Sequence, residues 1–330
     1  MKFNEFIGID VSKDTLDIYN LSSGSYNRYS NTVGGFNRLQ RWMKRTFGTF
    51  EEVLICIEYT GMYSNGIMVY LDEEGINFTM VSGLEVKRSM GIQRGKNDKI
   101  DARRLAEYIY LRRDQVKLYK LPSKKLMNLK ALLSFRTRLV RQRAGYIASK
   151  KEYSRFMPIK DAQCLIKCQE ELIDELSLKI KGIDKELKQI IKSDEVIGQQ
   201  YKLATSVRGV GILIALTMIA YTNCFTSFKN WRKFASYAGT APFENSSGTS
   251  IKGKTKVSHL ANKRVKSLLH LAAMSAIRHN AELKSYYERR IAAGKNKMST
   301  LNIIRNKLIS RIFATVTRQT PYVDVFKFAA

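Results

Sequence analysis

Apolar positions in the first third of the chain follow two patterns. Short apolar runs bounded by polar residues or glycine are typical of strands, and apolar residues spaced three and four apart are typical of amphipathic helices. The predicted strands are residues 6–12, 16–22, 53–58 and 76–82. The predicted helices are residues 36–47, 61–71 and 98–113. This mixture predicts an α/β domain over residues 1–118, whose first two strands form a hairpin.

The pattern changes to long helices after Leu121-Pro122, so we place a middle region at residues 119–195. Its first helix has an apolar face formed by Leu126, Leu129, Leu132, Leu133 and Leu139. A seam with spacings of three and four follows, formed by Ile173, Leu176, Ile180, Ile183, Leu187 and Ile190. At under three heptads, the seam fits a coiled coil and fits equally well an amphipathic helix packed within its own chain.

Residues 196–330 predict a third, mainly helical region. Helical patterns recur at residues 259–277 and 300–317. The segment SVRGVG at 206–211 is typical either of the turn of a helix-hairpin-helix, whose glycines let the backbone meet a phosphate, or of a plain helix start. The pattern leaves both alternatives open.

The net charge of the chain indicates which class of partner it binds. The sequence has 57 Lys and Arg against 29 Asp and Glu, a net charge of +28. An excess of this size indicates a polyanionic partner, and nucleic acid is the favoured one. No apolar run is long enough to span a bilayer, and the N-terminus lacks the apolar core of a signal peptide, so we expect a cytoplasmic protein that does not act at a membrane.

Four cysteines are present, and they predict no zinc site. The chain contains no C-x-x-C pair and only three histidines. Cys164 and Cys168 lie one helical turn apart, and we expect them to act as small apolar residues on a buried helix face.

Four acids stand where predicted strands and a helix meet an edge of the α/β domain. Asp10 lies in the first strand, Glu58 ends the third, and Asp98 and Asp101 begin a helix on one face. Oxygen ligands of this kind hold Mg²⁺, which assists phosphoryl transfer. Each acid alone also fits an ordinary role, such as a helix N-cap for Asp98 or a solvated strand end for Glu58.

The stretch ENSSGTSIKGKTK fits the Walker A pattern at Gly248, Gly253, Lys254 and Thr255. A P-loop requires a buried strand before the pattern and a helix that opens at the Lys-Thr pair. Here a polar segment with Pro242 precedes it, and the next helix is predicted to start nearer Ser258. No acid-terminated apolar strand follows downstream. The context therefore argues against ATP as a cofactor.

Several segments in order resemble one family, the DEDD insertion-sequence transposases and Piv-like DNA invertases. They are GIDVSK, IEYTGMY, KNDKIDARRLAEY, SVRGVG and FASYAGTAPFENSSGTSIKGKTKVSHLANKRVKSLLHLAA. The resemblance implies an RNase H-like (RuvC-type) domain at 1–118, a helical coiled-coil region at 119–195 and a mainly α transposase domain at 196–330. In this family four acids bind Mg²⁺ or Mn²⁺. The resemblance places these acids at Asp10, Glu58, Asp98 and Asp101.

The same resemblance carries a nucleophilic serine onto Ser247, with Ser246 and Ser250 as alternative registers. It implies DNA cutting and rejoining through a covalent phosphoserine link, double-stranded DNA as donor and target, a non-coding bridge RNA as guide and a homodimer or homotetramer. It also implies a bacterial or archaeal protein that acts at the nucleoid. Two rivals share part of the pattern: a metal-dependent junction nuclease that uses water, and a basic RNA-binding scaffold without activity.

Basic residues in two segments are candidates for contact with nucleic acid. Between Lys117 and Lys160 the chain has 13 Lys and Arg and one acid. The candidates there, followed by aromatic residues suited to stacking on bases, are Arg136, Arg138, Arg141 and Arg143. In the serine segment the candidates for phosphate contact are Lys252, Lys254 and Lys256.

Overall fold

A computed structural model describes residues 3–91, 95, 97–248 and 251–324. By internal contacts the chain divides into two units, at Met1–Leu121 and Pro122–Ala330. The second unit therefore contains the region predicted at 119–195, apart from its first three residues, and the region predicted at 196–330; the boundary between those regions stays a prediction.

The first unit contains a five-stranded mixed sheet in the order β3-β2-β1-β4-β5. Its strands are β1 (Glu5–Val11), β2 (Thr15–Asn20), β3 (Tyr26–Ser30), β4 (Val53–Glu58) and β5 (Phe78–Val81). Its helices are α1 (Val33–Phe47), α2 (Asn65–Glu73, after a 3₁₀ turn at Gly61–Ser64), α3 (Gly83–Ser89) and α4 (Asp98–Leu111). The predicted α/β character and the β1-β2 hairpin are confirmed. The pattern did not predict β3 or α3.

The central strands of this sheet are the aliphatic runs of the sequence. β1 pairs parallel to β4 and antiparallel to β2, and β4 pairs parallel to β5. Ile7, Ile9, Ile55 and Ile57 are buried on one face of the sheet. Phe6, Leu54 and Cys56 are buried on the other, as expected for parallel strands covered on both faces. The sheet therefore fixes where β1 and β4 end relative to each other.

Helix α4 packs directly on β1, and Gly8 makes this possible. A Cβ atom at Gly8 would lie 2.0 Å from the carbonyl oxygen of Ala102, so no larger residue fits without a backbone shift. Asn97 caps the helix by accepting a hydrogen bond from the amide of Ile100 at 2.8 Å. Asp98 is thus the first residue of the helix and not its N-cap. Its side chain does not cap the helix and can form other contacts.

The second unit is mainly helical. Its long helices α5 (Lys124–Phe156) and α6 (Ile159–Ser193) form a hairpin, followed by α7 (Glu195–Thr205), α8 (Ile212–Tyr221) and α9 (Trp231–Tyr237). A two-stranded ribbon of β6 (Pro242–Ser247) and β7 (Ile251–Val257) then precedes α10 (Lys263–His279), α11 (Ala281–Ala292) and α12 (Lys297–Arg318). The helix expected to start near Ser258 therefore begins at Lys263.

The apolar seam of α6 packs within its own chain over its second half. Its buried residues belong to one cluster with the leucine face of α5 and with α8, and they are Ile180, Ile183, Leu187 and Ile190. For these residues the same-chain alternative is the one observed. Cys164 and Cys168, in the first half of α6, are exposed, so the expectation that they are buried is wrong. Within the described ranges, none of the helices is both long enough and apolar enough to cross a bilayer.

Candidate active site

The parallel pairing of β1 and β4 places Asp10 beside Glu58. Ile9 and Ile57 are register partners, so the next residue of each strand is an acid at the same edge of the sheet. Asp98 and Asp101 lie in the first turn of α4, the helix that packs on β1. The structure thus brings all four predicted acids to one region of the first unit.

The interaction between these acids is visible in the acidity of Asp10. Its pKa is raised from 3.8 to about 6, first by burial and then by the negative charges of Glu58, Asp101 and Asp98, with a smaller effect of Asp17. Desolvation and like charges both favour the neutral form of a carboxyl group. The Asp10 carboxyl group is therefore partly desolvated and close enough to the other three acids to be affected by their charge.

An exposed arginine, anchored on a buried acid, contacts one of the four candidate acids. Arg28 on β3 donates from Nε to Asp17 Oδ1 at 2.7 Å and from Nη2 to Asp98 Oδ2 at 2.8 Å. Asp17 is only 1% exposed and also accepts a hydrogen bond from the Tyr26 hydroxyl group. The sequence interpretation missed both Asp17 and Arg28. The one signal available was an acid inside the otherwise apolar strand β2.

The remaining side of the acid group opens into a cleft. Glu58 and Asp101 both line this cleft of about 390 Å³ between α3 and α4. Asp101 pairs with Arg104 at 2.9 Å. A Cβ atom at Gly83, at the start of α3, would lie 2.1 Å from Glu58 Oε1, so α3 approaches this carboxylate closely.

The donor set fits a hard divalent cation by its chemistry. Carboxylate oxygens are the ligands that Mg²⁺ prefers, and a bound cation would offset the repulsion between Asp10 and the neighbouring carboxylates. In the part of the chain that the structure describes, no three His, Cys, Asp or Glu side chains are already arranged as a metal site. Ligation by all four acids therefore requires Asp98 and Asp101 to adjust their contacts with arginine.

The serine segment forms the ribbon of β6 and β7, which the sequence did not predict. Ser247 is the last residue of β6 and pairs with Ile251, and Gly248 follows with a φ of +56°, the left-handed conformation that glycine favours in tight turns. Ser246 is exposed, and its hydroxyl group donates to Glu244 Oε1 at 3.2 Å. Ser250 lies outside the described residues.

The ribbon also accounts for the other residues that match the Walker A pattern. Lys254 and Thr255 lie in β7, where a bulge places them both opposite Glu244, and no helix opens at this point. A Cβ atom at Gly253 would lie 2.7 Å from the carbonyl oxygen of Asn245, so this glycine is needed for close strand pairing. The geometry is that of an antiparallel ribbon and not of a P-loop.

The base of the ribbon is held by hydrogen bonds to α12. Asn302 and Asn306 both donate to the carbonyl oxygen of Thr240, at 2.8 and 2.9 Å, and the Thr240 hydroxyl group donates to Asn306 Oδ1 at 2.8 Å. Thr240 is fully buried and lies two residues before β6. The described strand residues beyond it, from Pro242 to Ser246, are exposed.

The candidate basic residues differ in their surroundings. Arg136 forms a two-point ion pair with Asp184 of α6 at 2.6 and 3.1 Å, and Arg143 donates to the Ser177 hydroxyl group at 3.1 Å. Arg138 and Arg141 are exposed on α5. On β7, Lys254 and Lys256 are exposed, whereas Lys252 lies in the strand next to the turn.

Comparison with known proteins agrees with this arrangement. Residues 7–150 match a model of the DEDD transposase domain of the IS110 type, and residues 201–288 match the transposase IS116/IS110/IS902 family. Over 324 residues the chain is 24% identical to the pilin gene-inverting protein of Moraxella bovis, covering 96% of this chain and 97% of that protein.

Two further relatives carry insertion-sequence names. The transposase for insertion sequence element IS1111A of Coxiella burnetii is 22% identical over 98% of this chain and 92% of its own length. The uncharacterized 43.6 kDa protein of insertion element IS110 from Streptomyces coelicolor is 34% identical over 36% of this chain and 29% of its own length. With both domain models matched in order, the chain belongs to the IS110/IS116 transposase family.

Proposed function

We propose that this DNA recombination enzyme of the IS110/IS116 transposase class cuts and rejoins DNA through a covalent phosphoserine intermediate at Ser247. Four acids, Asp10, Glu58, Asp98 and Asp101, hold the divalent cation that assists the reaction. The observation that carries the proposal is the register of β1 against β4, which places Asp10 and Glu58 at one edge of the sheet, while Asp98 and Asp101 lie in the first turn of α4, the helix that packs on β1. The strand order and pairing of the first unit further support an RNase H-like (RuvC-type) fold for residues 1–118.

The acids have a direct role in binding Mg²⁺ or Mn²⁺. When bound, such an ion withdraws charge from a phosphodiester and stabilises the negative charge that develops during phosphoryl transfer. Asp10 must lose its proton to act as a ligand, so cation affinity should fall as the pH drops below about 6. Arg28, anchored on Asp17, contacts Asp98 in the metal-free state, and this contact adjusts when Asp98 binds the cation.

The chemistry at Ser247 is a substitution at phosphorus. The Oγ–P bond forms as the bond from phosphorus to a deoxyribose oxygen breaks, and the Oγ proton is lost while the leaving oxygen gains one. A free deoxyribose hydroxyl group of the recipient strand then displaces Oγ, so the phosphoester energy is conserved and no ATP is consumed. The location of Ser247 beside the turn of an exposed basic ribbon supports this role, because a two-stranded ribbon is narrow enough to enter a DNA major groove.

The charge of the chain supports an RNA partner in addition to DNA. Arg138 and Arg141 are exposed on α5, and Tyr146 and Phe156 are exposed further along the same helix. Cations followed by aromatic rings on one helix suit structured or unpaired RNA. We assign this face to a bridge RNA whose pairing with donor and target DNA selects the sites. Exchange between two duplexes needs several active sites, so the active form is a homodimer or homotetramer.

The test is to trap a protein–DNA adduct. The full chain is incubated with cognate RNA, Mg²⁺ and a nicked DNA substrate, and the linked residue is mapped by mass spectrometry. We expect the adduct on Ser247, its loss in Ser247→Ala and in Asp10→Asn, and its retention in Ser246→Ala. An adduct on another residue would overturn the assignment. Cleavage at full rate by Ser247→Ala, without any adduct, would identify a hydrolytic metal-dependent nuclease instead.

A further inference from the structure

Charged residues of four strands lie side by side in one row across the sheet of the first unit. Asp10 is the register partner of Asp17, which is in turn the partner of Arg28. On its other side Asp10 lies beside Glu58. Residues in register project from the same face of a sheet, and α4 packs on this face, because Gly8, two residues before Asp10, approaches it closely. The row therefore holds three acids and ends in a cation at the edge strand β3.

The guanidinium group of Arg28 is divided between a buried acid and an exposed one. Its Nε donates at 2.7 Å to Asp17, whose side chain is 2% exposed. Its Nη2 donates at 2.8 Å to Asp98, and the side chains of this second pair are 51% and 61% exposed. A buried charge needs its partner, whereas a solvated ion pair contributes little stability and can exchange. Arg28 is therefore fixed through Nε and exchangeable at Nη2.

A second cation lies on the same side of the acid group. Lys99, the second residue of α4, is exposed, and its Nζ is 5.6 Å from the centre of the Tyr26 ring. Tyr26 precedes Arg28 by two residues on β3 and donates its hydroxyl proton to the same buried Asp17. The β3 side of the acid group is thus a basic rim, formed by Arg28 and Lys99, next to an acidic centre.

Asp98 cannot keep its contact with Arg28 and also be a ligand of the cation through the same oxygen. When Asp98 turns to the cation, Arg28 stays anchored on Asp17 and the Nη2 side of its planar fork loses its acceptor. This side then presents N–H donors and positive charge beside the site where a phosphodiester reacts. The group of a DNA strand that matches such a fork is a backbone phosphate.

We propose that Arg28 exchanges Asp98 for a backbone phosphate of the DNA when the acids bind their cation. This inference rests on the proposed function and adds a substrate-binding residue to it. The phosphate is one that neighbours the phosphodiester on which the acids act. Without a cation, Asp98 neutralises the exposed side of Arg28; with a cation, that side is available to DNA. Binding of the cation and binding of DNA therefore strengthen each other.

The first experiment measures cation binding without DNA. The full chain is titrated with Mn²⁺ at pH 8, and the free ion is measured by electron paramagnetic resonance. Arg28→Gln releases Asp98, so Mn²⁺ affinity should rise about 2- to 5-fold, the change that corresponds to an exposed ion pair. The double variant Asp17→Asn, Arg28→Gln leaves no buried charge unpaired and should also bind Mn²⁺ more tightly. Arg41→Gln, on the exposed side of α1, should leave the affinity unchanged.

The second experiment measures DNA binding with Ca²⁺ and in EDTA. The full chain carries Ser247→Ala, so that no strand is linked, and anisotropy of end-labelled donor DNA with cognate RNA gives Kd over a range of salt. With Ca²⁺, which takes carboxylate ligands, Arg28→Gln should weaken DNA binding about 10-fold and reduce the slope of log Kd against log salt by about 1, as for one lost phosphate contact. In EDTA both quantities should stay unchanged, because Asp98 holds Arg28. Arg28→Lys should keep the slope but only part of the affinity, since lysine lacks the fork.

Three outcomes would overturn the exchange. Weaker Mn²⁺ binding by Arg28→Gln and by the double variant would show that Arg28 supports Asp98 as a ligand and does not compete for it. An unchanged salt slope with Ca²⁺ would exclude the phosphate contact. An equal loss of DNA binding in EDTA and with Ca²⁺ would show a contact that does not depend on the cation. The proposed function fails by different results, namely Mn²⁺ binding that Asp10→Asn leaves unchanged, or the absence of the serine adduct.

Discussion

Replacing Asp10 by asparagine should stabilise the metal-free protein at alkaline pH. The folded state raises the pKa of Asp10 from 3.8 to about 6, because burial and the neighbouring carboxylates disfavour its charge. A folded pKa above the unfolded one means that ionisation destabilises the fold: the cost is absent well below pH 4, grows as the pH rises, and is complete above about pH 6. Converted in full, the shift is ~3 kcal/mol. Because the group is partly solvated, screening reduces this to about 1–2 kcal/mol.

The assay can be confined to the first unit because the chain has two tryptophans. Trp42 lies in α1 and Trp231 in α9, one in each unit. In a Trp231→Phe background, tryptophan fluorescence therefore follows the unfolding of residues 1–121. In EDTA at pH 8, Asp10→Asn should raise the midpoint of that transition by about 4–8 °C. At pH 5 the increase in stability caused by Asp10→Asn should be about half as large, because the folded wild-type protein is then largely protonated at Asp10.

Two controls test whether the ionisation of Asp10 causes the difference in stability. Asp72→Asn removes an exposed acid of α2 and should leave the midpoint unchanged at both pH values. Addition of Mg²⁺ at pH 8 should stabilise the wild-type protein, since binding to the folded state alone raises stability, and should stabilise Asp10→Asn much less. The reasoning is refuted if Asp10→Asn gains nothing at pH 8, or if Mg²⁺ stabilises both proteins equally.

Further predictions concern packing and the ribbon. Gly8→Ala should cost about 3 kcal/mol or more, because its Cβ atom would overlap Ala102 of α4, and should lower the same Trp42 midpoint. Arg136→Ala should destabilise the α5-α6 hairpin by about 1–2 kcal/mol, measured by urea unfolding, whereas Arg138→Ala should leave stability unchanged and weaken RNA binding in a filter assay. Asn306→Ala removes both hydrogen bonds between Asn306 and buried Thr240 and should lower the free energy of unfolding by about 1–3 kcal/mol, measured by thermal unfolding. Asn306→Asp keeps an oxygen that can accept from the Thr240 hydroxyl group and should restore part of the loss.

The fold of the first unit was largely predictable because its central strands are runs of aliphatic residues. β4 is VLICIE, whose first five residues are buried, and the acid that ends it was visible as a break in the run. β3 was missed because it lies at the sheet edge and its sequence, YNRYS, is half-buried and lacks apolar alternation. Edge strands give a weak signal, since only one side of the backbone is paired and the side chains face solvent.

The acids of the site were predictable, but their supporting contacts were not. As candidates, Asp10 was visible as an acid in the first apolar strand, Glu58 as the end of another, and Asp98 and Asp101 by their helical spacing. The contact of Arg28 with both Asp17 and Asp98 joins residues 11 and 70 positions apart in the chain, and it depends on the register of β2 against β3. A pattern of apolar and polar positions contains no information on such register until the pairing of strands is known.

The stretch from Glu244 to Lys256 shows why a motif must be judged by the element on which it lies. Every fixed position of a phosphate-binding loop is present, yet each glycine has a structural cause in a ribbon: a left-handed turn at Gly248 and close strand contact at Gly253. A two-stranded ribbon is marginally stable by itself. It therefore depends on anchors at its base, and Thr240 supplies one through α12. The ribbon is fixed at its base and exposed at residues 242–246 and 253–256, so a large substrate can reach it, and this accessibility supports the proposed attack of Ser247 on a DNA phosphodiester.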